Sequence, residues 1–174
     1  MDPTVVEKAY ASARDRYAER GVDAEKALAR LQAISLSLHC WQGDDVGGFE
    51  KRAEGLAGSG LQVTGGAPGK ARDVDELRAD IAQAFALIPG RHRVNLHAMY
   101  GEFGGKAVDR DAMEPEHFRG WEEWTRRLGL KIDFNATLFA HPKAASGYTL
   151  SSRENGTRKF WVDHVKCCRK IAAS

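Results

Sequence analysis

Cysteine is scarce in this chain, neither sign of charge dominates, and long apolar runs are missing. The three cysteines of its 174 residues, Cys40, Cys167 and Cys168, form an odd set with two adjacent. That is a poor framework for structural disulfides, and no CxxC spacing suggests zinc; a reducing cytoplasm is the expected compartment. Twenty-six basic and 24 acidic residues, mixed along the chain, leave a net charge of +2. Without a polybasic block, neither nucleic acid nor anionic lipid is an expected partner. No run approaches the ~20 apolar residues of a spanning helix, and Asp2, Glu7 and Lys8 stand where a signal peptide would be apolar, so neither export nor membrane insertion is expected. Internal repeats and low-complexity tracts are also missing. What remains is 43% hydrophobic and 29% charged, the composition of one soluble globular core.

Helical spacing comes first. Asp2-Pro3 reads as an N-cap and first helical position, with Val6, Ala9, Tyr10, Ala13 and Tyr17 on one stripe before Gly21. A second helix spans about 23 to 33, with Ala24, Ala27, Leu28 and Leu31 on one side. The period then changes to two over Ile34 to Trp41, the first expected strand. After a Gly-rich segment from Gln42 to Arg72, a helix with Leu77, Ile81 and Phe85 inward closes at Pro89-Gly90. Arg93 to Tyr100 is the second strand, Glu114 to Leu128 a helix ended by Gly129, Leu130 to Phe139 the third strand, and about 157 to 172 the last helix.

Two leading helices and three strand-then-helix units predict parallel strands joined by helical crossovers. We divide the chain into a helical extension, 1–33, and three β/α units, 34–174. Alternate strand positions separate two faces. Ile34, Leu36, Leu38, Val94, Leu96, Ala98, Leu130, Ile132 and Phe134 make one apolar side, expected under the helices. The other side carries Ser35, Ser37, His39 and Trp41, then Asn95, His97 and Met99, then Asp133, Asn135 and Thr137. Parallel sheets covered on both faces read as nearly continuous apolar runs, so a repeatedly polar side needs solvent or a site. A two-layer sheet with one wetted face would produce it. So would a (β/α)-barrel, whose inward face carries catalytic residues near the strands' C-terminal ends. The expected fold is α/β, a partial (β/α)8 TIM-type barrel.

Some tempting motifs fail on chemistry. Asp44-Asp45 in a glycine-bearing loop is an ordinary loop cap or solvated pair, since a divalent site wants several convergent oxygens. Gly65-Gly66-Ala67-Pro68-Gly69-Lys70-Ala71 is one residue short of a phosphate loop and ends in Ala71 where Ser or Thr should hold magnesium. His92 between two arginines reads as solvated, His117 and His164 lie on helices, and His141 precedes Pro142 in a turn; none has metal-ligand spacing.

His39-Cys40-Trp41-Gln42-Gly43-Asp44-Asp45, Thr64-Gly65 with Pro68-Gly69-Lys70-Ala71, and Asn95-Leu96-His97-Ala98-Met99-Tyr100 resemble the L-rhamnose isomerase family in order and spacing. The resemblance continues through Pro115-Glu116-His117-Phe118, Asp133-Phe134-Asn135, Phe139-Ala140-His141-Pro142, Gly147-Tyr148-Thr149-Leu150 and Phe160-Trp161-Val162-Asp163-His164. It implies reversible conversion of L-rhamnose to L-rhamnulose, using manganese or another divalent metal, in a cytoplasmic homotetramer. The family's metal-binding residues lie on later strands than those found here, so no metal ligand is assigned in this chain, which is expected to be inactive alone.

By the same resemblance His97 is the ring-opening acid/base, and its imidazole suits proton exchange near neutrality. Trp41 and Phe139 resemble the aromatic wall against the sugar's apolar side. His39 and Asn135 share the face of His97 and would orient it or touch sugar hydroxyls. The bland counterparts are a histidine that only hydrogen-bonds within the sheet and aromatics that belong to the core. A noncatalytic fragment that binds sugar weakly or associates with other chains, and another barrel-type sugar isomerase or epimerase, are the competing functions.

Overall fold

The computed structural model describes residues 2–39, 48–50 and 71–174. It divides into two units, Met1–Leu36 with Pro89–Arg91, and Ser37–Ile88 with His92–Ser174.

In the first unit α1 spans Pro3–Ala18 and α2 spans Ala24–Gln32. Asp2 Oδ1 accepts from the Thr4 backbone N–H at 2.9 Å, and Asp23 Oδ1 accepts from that of Lys26 at 3.0 Å. Each carboxylate thus satisfies an orphan donor in the first turn. Gly21, at φ +74°, closes α1: Val22 N–H reaches Tyr17 O and Gly21 N–H reaches Ala18 O. Tyr10 Oη donates to Glu25 Oε1 at 2.8 Å, tying the helices together. The two expected apolar stripes bury no residue.

In the second unit β1 (Ser37–His39), β2 (Arg93–His97) and β3 (Lys131–Asn135) form a parallel sheet in that order, flanked by α3 (Val74–Leu87), α4 (Arg119–Arg127) and α5 (Asn155–Ala173). Register places Leu38, Val94 and Ile132 in one row and Leu96 beside Phe134 in the next. On this side Val94 and Leu96 are fully buried, with Leu77 and Ile81 of α3, Trp121 and Trp124 of α4, and Ile171 of α5 in the same core. Such side chains each contribute roughly 1.5–3 kcal/mol by leaving water. The Trp121 ring meets Trp124 edge-on at 5.7 Å and donates Nε1–H to Tyr100 O at 2.9 Å, so its one polar group is satisfied. Gly129, at φ +67°, ends α4 as Gly21 ends α1, with Leu130 N–H on Thr125 O and Gly129 N–H on Arg126 O.

All three strands are shorter than their alternating patterns. Ile34 and Leu36 precede β1 and are exposed instead of lying under helices. β2 stops at His97, and Ala98–Tyr100 tightens into a 3-10 turn, which takes Met99 off the polar face into the core. β3 stops at Asn135, because Thr137 turns to φ +51°. The helix expected from Glu114 begins as a 3-10 turn over Pro115–Phe118, with Glu114 and His117 closing a capping box. His92 is buried, not solvated, its ring stacked 5.6 Å from Phe85. None of the described helices is long and apolar enough to cross a membrane.

Candidate functional site

The polar face of the sheet changes character along the strands. Near their N-terminal ends Arg93 Nε donates to both Asp133 oxygens at 2.8 Å, and Ser37 Oγ donates to Asp133 Oδ2 at 2.6 Å. This cluster ties three strands together. Arg93 first, and Ser37 after it, hold the Asp133 carboxyl below the usual carboxylate range, against partial burial that raises it.

At the C-terminal ends the strand residues on this face are histidine and asparagine. His39 and Asn95 are paired in register, and one step further His97 pairs with Asn135. The His39 and His97 rings lie 5.7 Å apart, and Phe139, beyond β3, lies 6.5 Å from His97. Asn135 itself is exposed; its Oδ1 accepts from Thr137 N–H at 2.9 Å. Thr137 Oγ1 in turn sits 3.2 Å from His97 Nδ1. Four of the five residues singled out from sequence, His39, His97, Asn135 and Phe139, therefore gather at one end of the sheet. Trp41 lies outside the described residues, as do Asp44, Asp45 and the glycine segment from Gly65 to Lys70.

His97 is 1% exposed at the last position of β2. Burial, then the proximity of His39 and Arg110, lowers its pKa from the ordinary 6.5 to about 4. The ring is therefore neutral at physiological pH, carrying one N–H and one lone pair.

Sequence reasoning missed the group that shapes this end of the sheet. Arg110 is fully buried and binds Glu50 through Nε–Oε1 and Nη2–Oε2 contacts, both 2.9 Å. Its Nη1 donates to Thr137 O at 2.5 Å and Phe139 O at 2.6 Å, and its Nη2 to Ala140 O at 3.4 Å. One planar fork thereby neutralises its charge and fixes three carbonyls of the loop after β3. That loop contains two left-handed residues other than glycine, Thr137 and Ala140, at φ +51° and +52°. Each costs about 1–3 kcal/mol unless its surroundings enforce it. Arg110 supplies that enforcement. Asp109-Arg110-Asp111 reads as solvated charge, and no local signal marks its arginine as buried.

Behind the loop His164 directs Nδ1 to Arg110 O at 2.9 Å and Nε2 to Ala136 O. Burial lowers its pKa, although the two carbonyls oppose the shift. Cys168 packs beside it with a thiol pushed up to about 12 by burial, which excludes a thiolate nucleophile at neutral pH. Among the described residues no three His, Cys, Asp or Glu side chains converge to hold a metal ion. A groove of about 510 Å³ lies beside β3, α4 and the end of α5, lined by Leu96, Phe118, Ile132, Phe134, Ile171 and Ser174 among others. His97 does not line it.

The profile of the L-rhamnose isomerase (RhaA) family matches residues 4–174. The chain belongs to the L-rhamnose isomerase family. An L-rhamnose isomerase from Bacteroides thetaiotaomicron is 55% identical over 168 residues, 97% of this chain and 40% of the relative. One from Rhodopirellula baltica is 53% identical over 169 residues, again 97% of this chain and 39% of its own length. An Escherichia coli L-rhamnose isomerase is 49% identical over 170 residues, 98% of this chain and 40% of the relative. The chain thus spans about 40% of the length of these curated relatives, as a fragment of such an enzyme would.

Proposed function

We propose that this segment supplies the proton-transfer side and part of the aromatic wall of an L-rhamnose isomerase active site, interconverting L-rhamnose and L-rhamnulose. The observation that carries this reading is the buried neutral His97 at the end of β2, grouped with His39, Asn135 and Phe139 in a chain of this family. A neutral imidazole carries one N–H donor and one acceptor nitrogen, so it can hydrogen-bond a sugar oxygen and assist the proton shifts of ring opening. Phe139 would pack against the sugar's apolar side, and Trp41 would extend that wall. His39 and Asn135 would set His97 and meet hydroxyls.

The family's chemistry draws on a divalent metal, manganese in our reading, to polarise the sugar oxygens. The described residues do not fit such an ion. Its ligands would come from further strands of a TIM-type barrel, of which β1 to β3 are the first three; the open groove beside β3 suits a fourth. A cytoplasmic homotetramer is the expected assembly of the complete enzyme. A second reading, a noncatalytic piece that associates through its sheet edge, draws on the same groove and on the lack, among the described residues, of a metal-binding cluster.

A chimera separates the two. Residues 1–174 replace the matching segment of the Bacteroides relative, and L-rhamnulose formation is followed with added manganese. Turnover is expected, with a loss of ~10²–10⁴-fold on His97→Asn. A folded chimera without turnover, or one indifferent to His97→Asn, would sink the isomerase reading.

A further inference from the structure

Thr137 is fully buried, and among the described residues the only side-chain hydrogen bond of its hydroxyl is to His97 Nδ1. If Nδ1 carried the proton and donated, the threonine O–H would be a buried donor with no acceptor among the described residues, a penalised arrangement. If the hydroxyl donates to Nδ1 instead, both groups are satisfied. The proton of the neutral ring then sits on Nε2. What places the hydroxyl there is a short chain of contacts. Asn135 Oδ1 holds Thr137 N–H, and Arg110, itself fixed by Glu50, holds the carbonyls of Thr137, Phe139 and Ala140.

We propose that Arg110 is a positioning residue which, through Thr137, fixes His97 as the Nε2–H tautomer. The inference rests on the isomerase reading for its purpose: His97 then presents a donor, not a lone pair, to an oxygen of the bound sugar. The same fork sets the backbone of Phe139, so one arginine aligns the imidazole N–H and one wall of the site.

The tautomer is read directly from imidazole nitrogen shifts of the full 174-residue chain labelled with ¹⁵N-histidine, at neutral pH and without sugar or metal. The wild type should show a pyridine-type Nδ1 and a pyrrole-type Nε2 for His97. Arg110→Lys keeps the charge but loses the fork, and should lose the single-tautomer signature, moving both shifts toward a common average. Glu50→Gln should move them the same way and serves where Arg110→Lys does not fold. Thr137→Val, which leaves the carbonyl contacts of Arg110 in place, should also release the tautomer, and Thr137→Ser should retain it. A pyrrole-type Nδ1 in the wild type overturns the proposal, and so does a folded Arg110→Lys, Glu50→Gln or Thr137→Val chain with unchanged shifts. Failure of the chimera to turn over with the tautomer intact would instead count against the isomerase reading alone.

Discussion

Helix α1 and helix α5 are both well capped, one by Asp2 and the other by Glu154, whose oxygens accept from Gly156 and Thr157 N–H. Yet α1 buries nothing, whereas α5 buries Phe160, Trp161, His164, Cys168 and Ile171. The contrast extends to charge: Arg14 pairs with Asp15 in the open at 3.5 Å, while Arg110 is enclosed with Glu50 and three carbonyls. Caps and stripes determine where helices form; burial determines which of them are held and how hard.

The largest test of that contrast is Arg110→Ala. It leaves Glu50 and three loop carbonyls without their donor and should cost about 3–5 kcal/mol. Arg14→Ala should stay within about 0.5 kcal/mol. All four tryptophans follow residue 40, so urea unfolding followed by tryptophan fluorescence reports the sheet-bearing unit. Similar midpoints for the two variants would break the comparison.

His97 gives the next effect. Its folded pKa, about 4, lies below the ordinary 6.5 of an unfolded chain, so between these values the unfolded state binds more protons. Its contribution is fully present above pH 6.5 and is lost as pH falls toward 4, to a total of roughly 3 kcal/mol. Denaturant titrations from pH 4 to 7 should therefore show stability rising with pH, and His97→Asn should flatten that slope. An unchanged slope would mean that another group carries it.

Asp23→Ala removes a cap worth ~1 kcal/mol. Hydrogen exchange should quicken in α2 while Leu96 and Phe134 amides keep their protection; slowing or quickening of both together would show the two units to be one cooperative body. The smallest change is expected from Ala140→Gly. Relief of the left-handed φ is offset by the entropy glycine loses on folding, leaving less than about 1 kcal/mol in either direction by thermal unfolding.

Much of the sheet was readable because both faces obey period two and the register keeps like with like, Val94 with Ile132 and Leu96 with Phe134. His97 and Asn135 fell on the polar side for the same reason. The pattern misled where it ran past the strands. Asn95 to Ala98 alternates and the expected strand ran on to Tyr100, but Met99 O is taken by Phe49 N–H and Tyr100 O by Trp121 Nε1–H, and these distant partners draw the backbone out of the ladder. Ile34 and Leu36 alternate equally well and are exposed. Thr137 was placed on the correct side, but its left-handed backbone depends on an arginine 27 residues earlier, and no local rule in the sequence predicts that.

The central claim is that these residues hold the proton-transfer side of an isomerase site and that its metal is held by others. The most direct measurement is L-rhamnulose formation by the purified 174-residue chain with manganese, with bound metal counted on the same sample. The account predicts no retained metal and no turnover. Turnover with stoichiometric metal would contradict it, placing a complete catalytic site within these 174 residues.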